Sequence, residues 1–398
     1  MIPRKTYLDF LISAQGLQVI KVISGIRRCG KSTLLELFRN YLKNQGIGDD
    51  QIIFINFEDM AYDELRDYKS LYKYIESKMD SNKRTYIFLD EIQHVSQFER
   101  AVDSLFIQKN VDLYITGSNA YFMSGELATL LSGRYIKIEM LPLSFSEYNL
   151  GISSTKSISE LYSRYLVNSS FPYTVQLGDN DIITHEYLQG LYSTVILKDV
   201  ITRNKISNGM MLEDITRFLF DNIGNKTSIT KIANTMTSHG RKIDPKTVEK
   251  YIKALTDSFI LYKAKRYNIK GKQYLKTLEK YYIVDIGLRY MLLGKRNIDV
   301  GHILENIVYL ELIRRGYDVY VGQVDNLEVD FVAMKNGTIS YYQVAATVRE
   351  ASTLKRELTP LQKIDDHYPK LILTLDDDPI ADYAGICRMN ALEFLLQE

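Results

Sequence analysis

The run Gly25-Ile26-Arg27-Arg28-Cys29-Gly30-Lys31-Ser32, followed by Thr33, constrains the fold more than any other stretch of the chain. It spaces its glycines and its Lys-Ser pair as G-x-x-x-x-G-K-S, the pattern in which backbone N–H groups and a helix N-terminus cradle phosphates. Its flanks fit that use. Residues 17–24, LQVIKVIS, form a short β-branched apolar run that reads as a buried strand. Residues 32–42 then carry Leu34, Leu35, Leu37, Phe38 and Leu42 at helical spacing. In such a loop Lys31 supplies a mobile charge to the β and γ phosphates, Ser32 offers its hydroxyl to magnesium, and Thr33 contacts the α phosphate. Arg27 and Arg28 are expected to project outward, and Cys29 has no base beside it in sequence.

Further apolar runs at 51–57, 85–89, 111–116 and 135–140 alternate with helical patterns such as 71–79 and 99–109. That alternation predicts an α/β domain, a P-loop NTPase parallel sheet with helices on both faces. The third strand ends in Asp90-Glu91, which suits Asp90 to magnesium and Glu91 to polarising an attacking water. The strand ending Thr116-Gly117-Ser118-Asn119 places three γ-phosphate sensor candidates, Thr116, Ser118 and Asn119, at a strand end. Arg134, in Leu131-Ser132-Gly133-Arg134, is a candidate arginine finger for a neighbouring subunit. An Asn-Lys-x-Asp guanine reader is absent, so ATP is expected rather than GTP.

At these residues the chain resembles a group of bacterial and archaeal AAA+-related ATPases. The Walker motifs, Thr116-Gly117-Ser118, the Ser132-Gly133-Arg134 turn and Leu141 to Tyr148 carry the likeness, which runs from about Arg4 to the C-terminus. The resemblance implies an N-terminal ATPase, a winged-helix region and a restriction-endonuclease-like domain of uncharacterised function. The corresponding boundaries are 1–143 for the ATPase, 144–210 for a helical lid or linker, 211–292 for the winged helix and 293–398 for a small α/β domain.

A length of 398 residues suits several domains, and 45% apolar with 25% charged residues is ordinary for a globular chain. Cys29 and Cys387 make no disulfide framework, and neither a secretory signal nor an apolar run of membrane length is evident, so a cytoplasmic protein is expected. The net charge of +1 hides a segment, 226–282, with fourteen Lys or Arg and four acids. Three helical patterns over 211–258, the third opened by Asp244-Pro245, precede a hairpin expected to join 259–267 to 281–285. The third helix carries Lys246, Lys250 and Lys253, and the hairpin Lys263, Lys265, Arg266, Lys270 and Lys272. Those cations predict DNA as a partner through phosphate contacts, with Tyr262, Tyr267 and Tyr274 available to stack on exposed bases.

In the C-terminal region Glu305, Asp330 and Gln343 fall in the order of a PD-(D/E)xK nuclease site. Ala345 stands where that site needs its lysine, and Gln343 replaces an acid, so the set is incomplete. Lys335 is the substitute cation closest in sequence. The expected protein is therefore a magnesium-dependent ATPase coupled to DNA, assembled as a homo-oligomer if Arg134 acts in trans. The alternatives are a nucleotide switch acting on a protein partner and an ATP-gated metal-dependent nuclease.

Overall fold

The computed structural model describes residues 2–117, 131, 133–152, 156–178, 180–294 and 299–397. They divide into two compact units, Met1–Pro142 and Leu143–Glu398. In the first, α1 (Lys5–Ser13), β1 (Ile20–Ser24), α2 (Lys31–Asn44), β2 (Ile52–Asn56), α3 (Tyr68–Lys78), β3 (Thr85–Asp90), α4 (Phe98–Phe106), β4 (Val111–Gly117) and β5 (Tyr135–Glu139) follow in order. The described strands form one parallel five-stranded sheet, ordered β2-β3-β4-β1-β5.

Strands β1, β3 and β4 are buried along their whole length. Covering both faces of a parallel strand is what makes its sequence continuously apolar rather than alternating. The pleat separates the two faces. Phe38 of α2 packs on Phe88 and Tyr114, with ring centroids 6.1 and 5.0 Å away. Leu71 of α3 and Leu105 of α4 lie in the cluster that holds the alternate residues Ile87, Leu89 and Ile115. Lys21 and Asp112 form an ion pair 2.5 Å long inside the sheet, each side chain 1% exposed.

The second unit runs α5 (Phe145–Gly151), α6 (Ile158–Asn168), α7 (Asp181–Leu191), α8 (Val200–Asn204), α9 (Gly209–Asp221), α10 (Ile229–Ser238), α11 (Pro245–Asp257), β6 (Leu261–Asn268), β7 (Gln273–Ile283), α12 (Ile286–Leu293), α13 (Val300–Arg314), β8 (Asp318–Val324), β9 (Leu327–Lys335), β10 (Thr338–Ala345), α14 (Ala351–Gln362), β11 (Lys370–Thr374), β12 (Ala381–Asp382), β13 (Ile386–Asn390) and α15 (Ala391–Leu396). Asp244 caps α11 by accepting the Thr247 N–H at 3.0 Å, and Ser228 caps α10 through Lys231 at 3.1 Å. At Gly287 in α12 an added Cβ would sit 2.6 Å from the Cα of Ser169, so only glycine fits.

The hairpin does not stand as a separate wing. Its strand β6 pairs in parallel with β8, Arg266 opposite Val321. The described strands of this unit thus form one eight-stranded sheet, ordered β12-β13-β11-β10-β9-β8-β6-β7. Segments 211–292 and 293–398, divided on sequence grounds, share this sheet. Pairing β6 with β8 also removes a sheet edge that would otherwise invite foreign strands. Strand β7 starts eight residues earlier than the sequence pattern indicates. A register shift between Ala264 and Arg266, and Leu278 at φ 60°, break the alternation that would have marked it.

Candidate functional site

The sheet order brings the nucleotide motifs together. Strand β1 lies beside β4, which lies beside β3, with Ile23 opposite Thr116 and Leu89 opposite Ile115. The loop after β1 therefore emerges next to Thr116 and Asp90. Gly25 and Gly30 hold positive φ, 150° and 102°. A Cβ on Gly25 would lie 2.2 Å from the Met140 carbonyl oxygen, so the chain passes that point only as glycine. Helix α2 starts at Lys31 without a side-chain cap, which leaves its first N–H groups for an anion.

Lys31 is buried, with Nζ 3.2 Å from Glu91 Oε1 and 3.3 and 3.4 Å from the Gly25 and Ile26 carbonyls. Burial lowers its pKa, but Glu91, Cys29 and Asp90 together more than offset this and hold the ammonium above its ordinary range. Glu91 takes a left-handed backbone, φ 53°, uncommon outside glycine. Gln93 donates its amide to the second Glu91 carboxylate oxygen.

Thr116 ties the acids together. Its hydroxyl donates to Asp90 Oδ1 at 2.5 Å and accepts from the Glu91 N–H at 2.9 Å. Burial pushes the Asp90 carboxyl up, while Thr116 and Ser32 pull it back. Asp90 Oδ2 is buried without a hydrogen-bond partner. A carboxylate oxygen left so beside the Ser32 hydroxyl fits a hard cation such as magnesium, which takes oxygen ligands. Ser118 and Asn119 lie outside the described residues.

The remaining loop residues divide. Arg28 is exposed, Arg27 pairs with Glu58 at 2.6 Å, and Cys29 is fully buried with burial raising its thiol pKa. Ile26 is buried, and Thr33 half-buried in the first turn of α2. Arg4 went unassigned in the sequence because nothing there links residue 4 to residue 29. Its buried guanidinium donates to the carbonyls of Cys29 at 2.9 Å and Leu141 at 2.6 Å. Arg134 immediately precedes β5, its carbonyl accepting from Ile20 at the start of β1. The phosphate loop leaves the other end of β1, about 13 Å along the strand. Arg134 is exposed, 5.5 Å from the Phe106 ring centroid.

In the second unit Lys246, Lys250, Lys253, Lys263, Lys265, Lys270 and Lys272 are exposed and Arg266 is half-buried. Several face acids of the same chain. Lys253 pairs with Asp257 at 3.2 Å, Lys263 with Glu279 at 2.9 Å and Lys270 with Asp325 at 2.7 Å, and Arg266 donates to Gln323. Tyr262 and Tyr267 are buried. They cannot stack on bases, which leaves Tyr274, 59% exposed, as the accessible ring of the three.

Glu305, Asp330 and Gln343 line or border one open cleft of about 760 Å³ with Lys226, Lys280, Glu328 and Glu357. Gln343 is a brace: its Oε1 accepts from the Asp330 N–H and its amide donates to Glu357 Oε2, both at 2.7 Å. Lys335 does not supply the missing cation, because its ammonium bonds the Arg315 carbonyl at 2.5 Å and lies over Tyr317. Among the described residues no group of three or more His, Cys, Asp or Glu is arranged to hold a metal ion. Nor, among them, is any helix long and apolar enough to cross a membrane.

Sheet order, phosphate loop and paired acids define an AAA-type P-loop ATPase domain. Residues 18–149 match the AAA domain family, and residues 159–299 match a domain of unknown function, DUF8612. The chain is 40% identical over 402 residues to an uncharacterized protein of Haemophilus influenzae, covering 100% of this chain and 99% of that one. It is 31% identical over 336 residues to the uncharacterized protein MJ1544 of Methanocaldococcus jannaschii, covering 79% and 71%. It belongs to the family of AAA-domain proteins that these relatives represent. The Walker-type ATPase PABY2304 of Pyrococcus abyssi shares the fold, with a TM-score of 0.51 at 15% identity over 73% of this chain and 96% of that one.

Proposed function

We propose that the chain binds and hydrolyses ATP with magnesium and couples turnover to nucleic-acid binding. The observation that carries the first half is the buried, unpartnered Oδ2 of Asp90 beside Ser32, at the mouth of a loop whose N–H groups face an anion. Ser32 and Asp90 would hold the cation. Magnesium, when bound, would neutralise the charge gathering on the phosphate oxygens. The loop backbone from Gly25 to Thr33 orients the triphosphate, and Lys31 leaves Glu91 to bridge its β and γ groups. Glu91 then takes the proton of the attacking water, in a backbone pose set by Thr116. Arg134 would complete this site in a neighbouring copy, since it stands at the sheet end away from its own loop.

The nucleic-acid half rests on the exposed lysines of α11 and the β6–β7 hairpin, which would contact phosphates with little sequence preference. The test is steady-state ATP hydrolysis with and without double- and single-stranded DNA at two salt concentrations, with Glu91→Gln as control. Stimulation that fades with salt and vanishes in the control is expected. A second reading, a nucleotide switch acting on a protein partner, is favoured by the ion pairs of Lys253, Lys263 and Lys270 with acids of their own chain. Hydrolysis indifferent to every nucleic acid selects it.

A further inference from the structure

The acids of the second unit converge on a cation that the chain itself provides. Lys280 of β7 is buried, with Nζ 2.8 Å from Glu305 Oε1, 2.8 Å from Glu328 Oε1 and 3.8 Å from Asp330 Oδ1. The first two are hydrogen-bonded ion pairs and the third is an electrostatic contact. Glu305 comes from α13, Glu328 and Asp330 from β9. Further donors reach the same carboxylates. Tyr282, two residues on and on the same face of β7, donates its hydroxyl to Glu305 Oε1 at 2.6 Å. Asp330 Oδ2 accepts from the Val344 N–H at 2.9 Å. Lys226, from the loop after α9, pairs with Glu328.

Charge and geometry agree. An ammonium has three donors and no acceptor, and here it faces three carboxylates. A divalent ion entering among them would stand within contact distance of that ammonium in a poorly screened site. The neighbouring groups support the same account. The surrounding acids hold the Lys280 ammonium well above its ordinary range against the opposing effect of burial. Burial, with Glu305 beside it, pushes the Asp330 carboxyl up, while Lys280 opposes that rise. Gln343 matters as an amide: glutamate at that position would face Glu357 with a second carboxylate.

We infer that Lys280 is a tethered counter-ion that fills the cation position among Glu305, Glu328 and Asp330, so that this cluster takes no divalent metal. The cleft beside it is then a metal-independent surface, and Lys280 ties β7 to α13 and β9 through charge, beside the backbone pairing of β6 with β8.

The test is Mn²⁺ binding to the nucleotide-free full-length chain, read by electron paramagnetic resonance. An Asp90→Asn background silences the ATP site. With Lys280 intact, no saturable Mn²⁺ site is expected. Lys280→Met should create one saturable site per chain, with affinity at least roughly tenfold above the residual non-saturable Mn²⁺ uptake of the parent, as removing a unit charge at contact distance requires. Adding Asp330→Asn should abolish it. Lys280→Gln, which keeps a polar side chain, serves if the methionine variant does not fold. A saturable Mn²⁺ site in the parent that disappears with Asp330→Asn overturns the inference. So does a folded Lys280 variant that gains no Mn²⁺ affinity.

Discussion

Lys31 and Glu91, the phosphate-loop lysine and the acid that follows β3, hold each other in a buried ion pair 3.2 Å long. On the proposed mechanism a nucleotide would exchange one partner of Lys31 for another and so release Glu91. Glu91→Gln weakens that hold without removing a phosphate contact. ATP affinity should stay the same or rise, while turnover falls by roughly 10²- to 10⁴-fold, the usual weight of a general base. Lys31→Ala should weaken ATP binding by at least about tenfold, since a charge-assisted contact is lost. Titration of a fluorescent ATP analogue beside phosphate-release kinetics separates the two. Loss of affinity in Glu91→Gln would make Glu91 a structural residue.

Thr116 is predicted to position Asp90 and Glu91. Thr116→Val keeps the shape and removes both hydrogen bonds, leaving Asp90 Oδ1 and the Glu91 N–H without this partner. Stability should fall by about 1–3 kcal/mol, the cost of buried groups left unsatisfied. Turnover should fall well beyond any change in ATP affinity, because the Glu91 backbone pose loosens. Thr116→Ser, which keeps the hydroxyl, should recover most of both. A serine variant as impaired as the valine would mean that the methyl packing matters and the hydroxyl does not.

Arg4 braces the phosphate loop from behind, and lysine cannot replace it. One guanidinium spans two carbonyls, Cys29 and Leu141, while its Cζ lies 5.0 Å from the centroid of the Tyr7 ring. A single ammonium lacks that fork. Both Arg4→Lys and Arg4→Ala should lower the melting temperature and weaken ATP binding, by about 1.5–3 kcal/mol of stability for the charged hydrogen bonds lost. Full ATP affinity in Arg4→Lys would show that the loop does not depend on the fork.

What the sequence made legible follows from how local each determinant is. The β1, phosphate loop and α2 succession lies within 20–44, and its β-branched run, glycines and helical spacing are all short-range signals. Asp90 and Thr116 required only that their strands be neighbours in a parallel sheet. Lys280 was out of reach. By chain order Lys335 is the nearest cation to Asp330, whereas the sheet order β9-β8-β6-β7 and the face on which Lys280 lies carry residue 280 there. The start of β7 was hidden as well, because the irregularity around Leu278 breaks the alternation of the hairpin. The buried Lys21–Asp112 pair was also missed, since a lysine inside an apolar run looks like a boundary until its partner strand is known.

Arg134 is predicted to work only across subunits. It stands beside Ile20 at the start of β1, and the phosphate loop leaves the far end of that strand. Arg134→Ala and Lys31→Ala should each be inactive alone. Mixed in equal amounts they should recover about a quarter of the sites, those pairing an intact loop with an intact neighbouring arginine, if copies assemble head to tail. Phosphate release from the mixture measures this. No recovery in a mixture shown by sedimentation to form mixed oligomers would remove Arg134 from the mechanism.

Asp285 gives a prediction in pH whose sign follows from its surroundings. Its Oδ1 caps α12 by accepting the Leu288 N–H at 2.8 Å, and Oδ2 accepts the Ser170 N–H at 2.7 Å and hydroxyl at 2.6 Å. Burial raises the carboxyl above its ordinary 3.8, and the Ser170 and Leu288 hydrogen bonds only partly reverse this. The folded chain thus holds this proton more tightly than the unfolded chain. That stabilisation is fully present below the unfolded value and is lost as pH rises through the folded one. Asp285→Asn cannot titrate, so the stability gap between parent and variant should narrow as pH climbs from about 4 and then level off. Thermal melts of both proteins across that range decide it. A gap that widens with pH would mean that the hydrogen bonds from Ser170 and Leu288 outweigh burial and that the carboxylate is the favoured form.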